Sequence, residues 1–129
     1  MFIGSHLVRL LLKENIEILA LGRKEWNEID SNRLTSHINL TYLRLNMSEI
    51  ENLQERINEI NWKPGDSCVF YNFAWGGKSG LSDLEIGHQL SNVTWAANEL
   101  MAAKNLDCES FIHVETCLLY KSAAAEDCK

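Results

Sequence analysis

The stretch from Ser67 to Gly80, SCVFYNFAWGGKSG, constrains the fold more than any other part of the chain. It is a near-continuous apolar run with aromatic residues, entered through the turn Pro64-Gly65 and stopped by two adjacent glycines. Such a run reads as a strand buried on both faces of a parallel sheet. Ligands of open α/β sheets sit at the carboxyl ends of these strands, so Asn72 to Gly80 is the first place to look for a site. A helix-forming stretch lies on either side, which is the rhythm of a βαβ unit.

Composition narrows the classes that remain. A chain of 129 residues with 46% hydrophobic residues fits a single domain, 1–129, with a sizeable core. A net charge of -6 argues against nucleic acid or an anionic membrane as partner and favours a small molecule. No apolar segment approaches the ~20 residues of a membrane span. His6 and Arg9 interrupt the first apolar stretch, unlike a signal-peptide core, so a cytoplasmic location is expected. Cys68, Cys108, Cys117 and Cys128 form no C-x-x-C pair and read as reduced structural thiols. His6, His37, His88 and His113 share no metal-ligand spacing with each other or with the cysteines, and no metal is expected. The four tryptophans, Trp26, Trp62, Trp75 and Trp95, read as core or interface residues.

Taken in order, Ile3, Leu7, Leu10 and Leu11 have helical spacing, with Asn15 as a stop. Ile16 to Leu21 reads as a buried strand, Arg23 to Asn39 as loop with one helical turn, and Leu40 to Leu45 as another strand. Ser48 and Glu51 form a capping-box signature ahead of Ile50, Leu53, Ile57 and Ile60, which predicts a helix up to Pro64. Ser82 and Glu85 repeat that signature. Ile86, Leu90, Val93, Ala97, Leu100 and Met101 then mark the apolar stripe of a helix reaching about Lys104. Ser110 to Thr116 is the last predicted strand, and the tail from Lys121 is alanine-rich and helix-prone.

This order is that of a Rossmann-like, doubly wound parallel α/β sheet lacking its first strand. FIGSHLVRLLL, ALGR, FYNFAWGG, the QLSNV turn and FIHVET followed by Tyr120 together resemble the extended short-chain dehydrogenase/reductase family. Within it the likeness is to NAD(P)-dependent nucleotide-sugar epimerases and dehydratases, and it runs from Phe2 to Tyr120. The resemblance implies an oxidoreductase that binds a nicotinamide dinucleotide and a nucleotide-sugar, forms a homodimer in its full-length form, and carries a C-terminal substrate domain not found here.

Cofactor-binding positions follow from the resemblance residue by residue. Gly4 matches the last glycine of the family's glycine-rich turn, where pyrophosphate meets free backbone N–H groups and the positive end of a helix dipole; a plain helix start is the alternative. Arg23, after Gly22, stands where an acidic residue would accept a hydrogen bond from the ribose 2′-hydroxyl of NAD. A cation there suits a 2′-phosphate, so NADP is placed ahead of NAD, the alternative being a solvated charge. Asn46 and Met47 match the pair that flanks the adenine, although Asn46 also reads as a turn residue. Phe73 and Ala74 match the segment lying along the cofactor, with Trp75, Gly76 and Gly77 forming the loop beside it, a stretch that also reads as a tight strand-to-helix turn. Asn92 matches a helix asparagine that supports the active-site strand.

Thr116 is the one candidate catalytic residue, matching a serine or threonine that hydrogen-bonds the reacting sugar hydroxyl; the competing reading is a β-favouring strand end. Glu115 beside it is a carboxylate where the family has a small residue. The family's base is a tyrosine whose pKa is lowered by a lysine four residues on. Here Tyr120 is followed at that distance by Ala124, and Lys121 points about 100° away on a helix. Two functions therefore stand: a cofactor-binding portion of an epimerase/dehydratase-type oxidoreductase, inactive as this fragment, and a non-catalytic dinucleotide-binding module. The missing strand of ~5–6 residues should leave two inner sheet edges unpaired unless they close up or a partner fills the gap.

Overall fold

The computed structural model describes residues 2–75 and 85–114. Helix α1 spans Phe2–Lys13 and leads into strand β1, Ile18–Gly22. A single 3-10 turn, Trp26–Glu28, interrupts the loop to β2, Leu40–Arg44. A 3-10 segment, Met47–Asn52, runs straight into helix α2, Leu53–Glu59, which precedes β3, Val69–Asn72. Helix α3, Ile86–Asn105, returns the chain to β4, Ser110–His113.

The strands form two parallel pairs. Ile18 to Gly22 of β1 lie opposite Leu40 to Arg44 of β2, and Val69 to Asn72 of β3 opposite Ser110 to His113 of β4. Among the described residues no ladder joins the pairs, so β1 and β3 do not close up on one another. This is a Rossmann-type parallel arrangement with a gap at its centre, as the element order implies. The gap also explains a difference from expectation. The apolar run from Ser67 is not buried on both faces: β3 has four residues, its first two are half-buried and Tyr71 is 37% exposed. Strand β1 is likewise half-buried throughout. Each lacks a neighbour on its inner edge, and cover has to come from helices alone.

The core gathers around β2 and α2. Leu43, Leu45, Ile50, Leu53 and Ile57 form one buried cluster, with Leu19, Leu21, Trp62 and Phe70 packed against it. Leu53 and Ile57 are both 1% exposed, and full burial of such side chains contributes about 1.5–3 kcal/mol each. The cap ahead of this segment is not the Ser48–Glu51 box. The Asn46 side chain accepts from the Ser48 N–H at 3.3 Å, because the first turns are 3-10 rather than α. Before α3, Glu85 has no side-chain cap, and Ser82 lies outside the described residues, as does the alanine-rich tail.

Helix α3 turns the face opposite to the one its sequence suggests. Ile86, Leu90 and Val93 are 73%, 62% and 60% exposed, and Leu100 and Met101 are about half exposed. The buried residues are Asn92, Glu99 and Ala103. A stripe of large apolar residues thus faces outward, while two polar side chains and an alanine face the protein.

All three helices end alike. Asn15, Asn61 and Asp107 adopt left-handed backbone, with φ of 57°, 55° and 55°. The next residues, Ile16, Trp62 and Cys108, donate their N–H groups to Leu11, Ile57 and Ala103 carbonyls at 3.3, 3.1 and 3.0 Å. These are Schellman endings, in which a left-handed residue redirects the chain and satisfies the last carbonyls. Asn and Asp tolerate that backbone better than other non-glycine residues. Each ending launches the segment that becomes β1, β3 or β4.

Candidate functional site

The strand ends meet at a cleft between the two sheets. It is lined by Leu21 at the end of β1, Asn46 and Met47 just past β2, Phe73 and Ala74 just past β3, and Glu99 from α3. Four of the sequence-predicted site residues, Asn46, Met47, Phe73 and Ala74, thus share one wall-lined space. Gly4, Arg23, Trp75 and Asn92 do not line it. Gly4 sits half-buried in the first turn of α1. Asn92 is 2% exposed on α3. Thr116, with Glu115, Tyr120, Lys121 and Ala124, and the glycines Gly76, Gly77 and Gly80 lie outside the described residues.

Asn72 shapes the exit from β3. Its Oδ1 accepts from the Ala74 N–H at 2.9 Å, which turns the chain sharply after the strand. That bond fixes the amide orientation, so Nδ2 donates to Nδ1 of His113, its register partner on β4, at 3.0 Å. The proton of the neutral imidazole then sits on Nε2. The backbone continues the link, with the Val114 N–H donating to the Asn72 carbonyl at 3.1 Å. Trp75 completes the corner: its Nε1 donates to Gln89 Oε1 at 2.8 Å, and its ring lies 5.8 Å from the His113 ring. Asn72, at 4% exposed, is the organising residue. Its sequence signal was a polar residue ending an apolar run.

Glu99 gave no such signal. A glutamate amid helix-forming residues reads as solvated, yet this one is 4% exposed and its Oε2 is buried without a hydrogen-bond partner. Burial pushes its carboxyl from 4.5 up to about 7. The cleft therefore holds a carboxyl that is neutral through mildly acidic pH.

At the end of β1 the chain passes under Tyr42. A Cβ at Gly22 would collide with the Tyr42 hydroxyl and ring, so a larger residue there would have to push Tyr42 aside. That hydroxyl donates to the Lys24 carbonyl at 2.7 Å, pinning the turn that carries Arg23. Burial, and then the Glu25 carboxylate, raise the Tyr42 pKa, so the hydroxyl stays a donor. Glu25 pairs with Arg44 at 3.3 Å, which leaves the exposed Arg23 without an acidic partner among the described residues.

The cleft's walls come from the carboxyl ends of parallel strands on both sides of the central gap, where open α/β sheets place their ligands, and Arg23 stands exposed beyond β1. Among the described residues no group of three or more His, Cys, Asp or Glu could hold a metal ion, and no helix is long and apolar enough to cross a membrane.

Comparison with known proteins gives one match. A family model described as NAD dependent epimerase/dehydratase family covers residues 2–128. No curated protein and no solved structure matches the chain. The parallel pairs joined through helices are consistent with that family's nicotinamide-binding fold, the central gap being a departure from its continuous sheet, and the match spans nearly every residue: the chain belongs to the NAD dependent epimerase/dehydratase family.

Proposed function

We propose that the chain is the cofactor-binding portion of an oxidoreductase acting on a nucleotide-sugar, with NADP as its cofactor. The observation that carries this reading is the meeting of Asn46, Met47, Phe73 and Ala74 in one cleft at the strand ends. In this reading Asn46 and Met47 hold the adenine, Phe73, Ala74 and Trp75 border the cofactor, and Gly4 admits its pyrophosphate to the start of α1. Arg23 pairs with the 2′-phosphate, supported by its exposure and by the engagement of Glu25 elsewhere. Asn92 supports the strand beside the reacting centre. Thr116 would orient the sugar hydroxyl.

When bound, the nicotinamide ring supplies a hydride acceptor or donor. The chain's own contribution is to position it: Asn72 and His113 fix the β3 exit, Trp75 and Gln89 tie that exit to α3, and the apolar residues keep water from the adenine end. A cytoplasmic location belongs to the same reading. So does a homodimer, supported by the outward stripe of Ile86, Leu90 and Val93, which a sedimentation comparison of the native chain with Val93→Glu would test.

The deciding experiment is titration of the intrinsic tryptophan fluorescence with NADPH and with NADH. NADPH should bind up to about fivefold more tightly, and Arg23→Glu should remove that preference, since one ion pair at an exposed site is worth up to about 1 kcal/mol. Equal affinities in both proteins would end the NADP assignment. A second reading, binding without turnover, is favoured by Ala124 standing where a lysine would follow Tyr120. Deuterium transfer from a 4-deuterated cofactor to a nucleotide-sugar separates the two.

A further inference from the structure

At the end of the β3–β4 pair opposite the cleft, two cysteines meet. Cys68 immediately precedes β3, and Cys108 lies two residues before β4. The Cys108 thiol donates to the Cys68 sulfur with the two Sγ atoms 3.2 Å apart. We propose that Cys68 and Cys108 form a reversible disulfide through thiol–disulfide exchange with a low-molecular-weight disulfide such as glutathione disulfide, and that this bond is a redox-controlled staple of the β3–β4 half. The proposal does not depend on the cofactor reading.

Geometry carries it. Both cysteines are held by backbone rather than by chance side-chain contact. The Cys108 N–H is bonded to the Ala103 carbonyl in the Schellman ending of α3, and the Cys68 carbonyl accepts from the Glu109 N–H at 2.8 Å. Ser67 Oγ also donates to the Glu109 carboxylate at 2.8 Å across the same gap. Two strand entries are thus clamped side by side, and the sulfurs have only about 1 Å to travel to reach the ~2.05 Å of a disulfide. Both thiols are partly exposed, so a small disulfide can reach them.

The chemistry balances in two exchanges. The Cys68 thiolate attacks one sulfur of the external disulfide, forming a mixed disulfide and expelling one small-molecule thiolate. Cys108 then passes its proton to the thiolate expelled in the first exchange and attacks the Cys68 sulfur, forming the intramolecular bond. This expels the second small-molecule thiolate, which takes up a proton from solvent in place of the one Cys68 released. The two protein thiols are oxidised and the external disulfide is reduced to two thiols. Cys108 is the donor and the Cys68 sulfur the acceptor of the hydrogen bond between them, which assigns the first attack to Cys68; burial and that same bond push the Cys108 thiol up to about 12 and keep it protonated.

The site also makes physical sense of where the bond would fall. Among the described residues the β3–β4 half buries Asn72, Asn92 and Glu99 but, of apolar side chains, only Ala103. A cross-link whose partners are 40 residues apart in sequence encloses Asn72 to Trp75 and Asn92, and it would constrain this part of the unfolded chain most.

The test is incubation of the reduced full chain with glutathione disulfide, followed by alkylation, digestion and mass spectrometry. The expected product is a linked Cys68–Cys108 peptide, abolished by dithiothreitol, with a melting midpoint about 10 °C higher in the oxidised protein. Cys108→Ser should stop at a stable glutathione adduct on Cys68, and Cys68→Ser should leave Cys108 unmodified. A Cys117→Ser, Cys128→Ser double variant should form the same link. Recovery of Cys68 and Cys108 as free thiols, or links to Cys117 or Cys128 in their place, would overturn the assignment.

Discussion

The two halves of the sheet are built on different principles. Around β1, β2 and α2 the buried residues are Leu43, Leu45, Ile50, Leu53 and Ile57, with no buried carboxyl or amide among them. Around β3, β4 and α3 the buried residues are Asn72, Asn92, Glu99 and Ala103. The first half has a purely apolar interior. The second buries polar groups, of which Asn72 is satisfied by Ala74 and His113 while Glu99 Oε2 is left unpartnered at a cost in stability. The candidate cleft lies where the two meet, drawing Asn46 and Met47 from the first and Phe73, Ala74 and Glu99 from the second.

Substitutions can break this division. The largest effect should come from Ile57→Ala, which empties a fully buried site in the first half and should cost about 2–5 kcal/mol in urea unfolding. A loss under 1 kcal/mol would mean that the cluster is not the source of stability.

Glu99→Leu comes next and should have the opposite sign. The unfolded carboxyl titrates near 4.5 and the folded one near 7, so between these values the folded chain holds a proton that the unfolded chain has released. The neutral form's advantage is complete below 4.5 and lost as pH rises through about 7. Stability should therefore fall by roughly 2–3 kcal/mol over that window in the native chain, and the leucine variant should lack the fall. A flat profile in both proteins would show that Glu99 finds a partner in solution.

His113→Ala should leave the Asn72 Nδ2 unpaired and cost about 1–3 kcal/mol. It should also weaken dinucleotide binding, whereas Ile57→Ala, at equal fraction folded, should not. Equal binding losses would blur the two halves. Asp107→Gly should have the smallest effect, a gain of at most about 1 kcal/mol, because relief of left-handed strain is offset by greater freedom of the unfolded chain.

Element identity was largely legible in the sequence. Periodicity located α1, β1, β2, β3, α3 and β4 to within a few residues, and Asn15 announced the end of α1. The face of α3 was not legible. Its apolar stripe is periodic, but period alone does not say which side meets the sheet, and the residues that do meet it, Asn92, Glu99 and Ala103, resemble a solvated face. The capping box at Ser48 failed for a related reason: the 3-10 start moves the cap to Asn46, which a pattern written for α-helices does not anticipate. At the cleft, the resemblance supplied Asn46, Met47, Phe73 and Ala74 as neighbours. The Asn72–His113 pair was hidden because it depends on the register between strands 41 residues apart, which no local motif encodes.

The three Schellman endings have a kinetic consequence. Each is made by hydrogen bonds between residues no more than five apart, and contacts of that reach close in about 10–100 ns. Parallel pairing must instead bring Ile18 to Leu40 and Val69 to Ser110, distant contacts that form slowly. The expected order is that the chain leaves each helix already aimed, and then waits for its strands to find one another. Stopped-flow refolding of Asp107→Gly would reveal the alternative: a faster main phase would put the elbow after α3, rather than strand pairing, on the rate-limiting path.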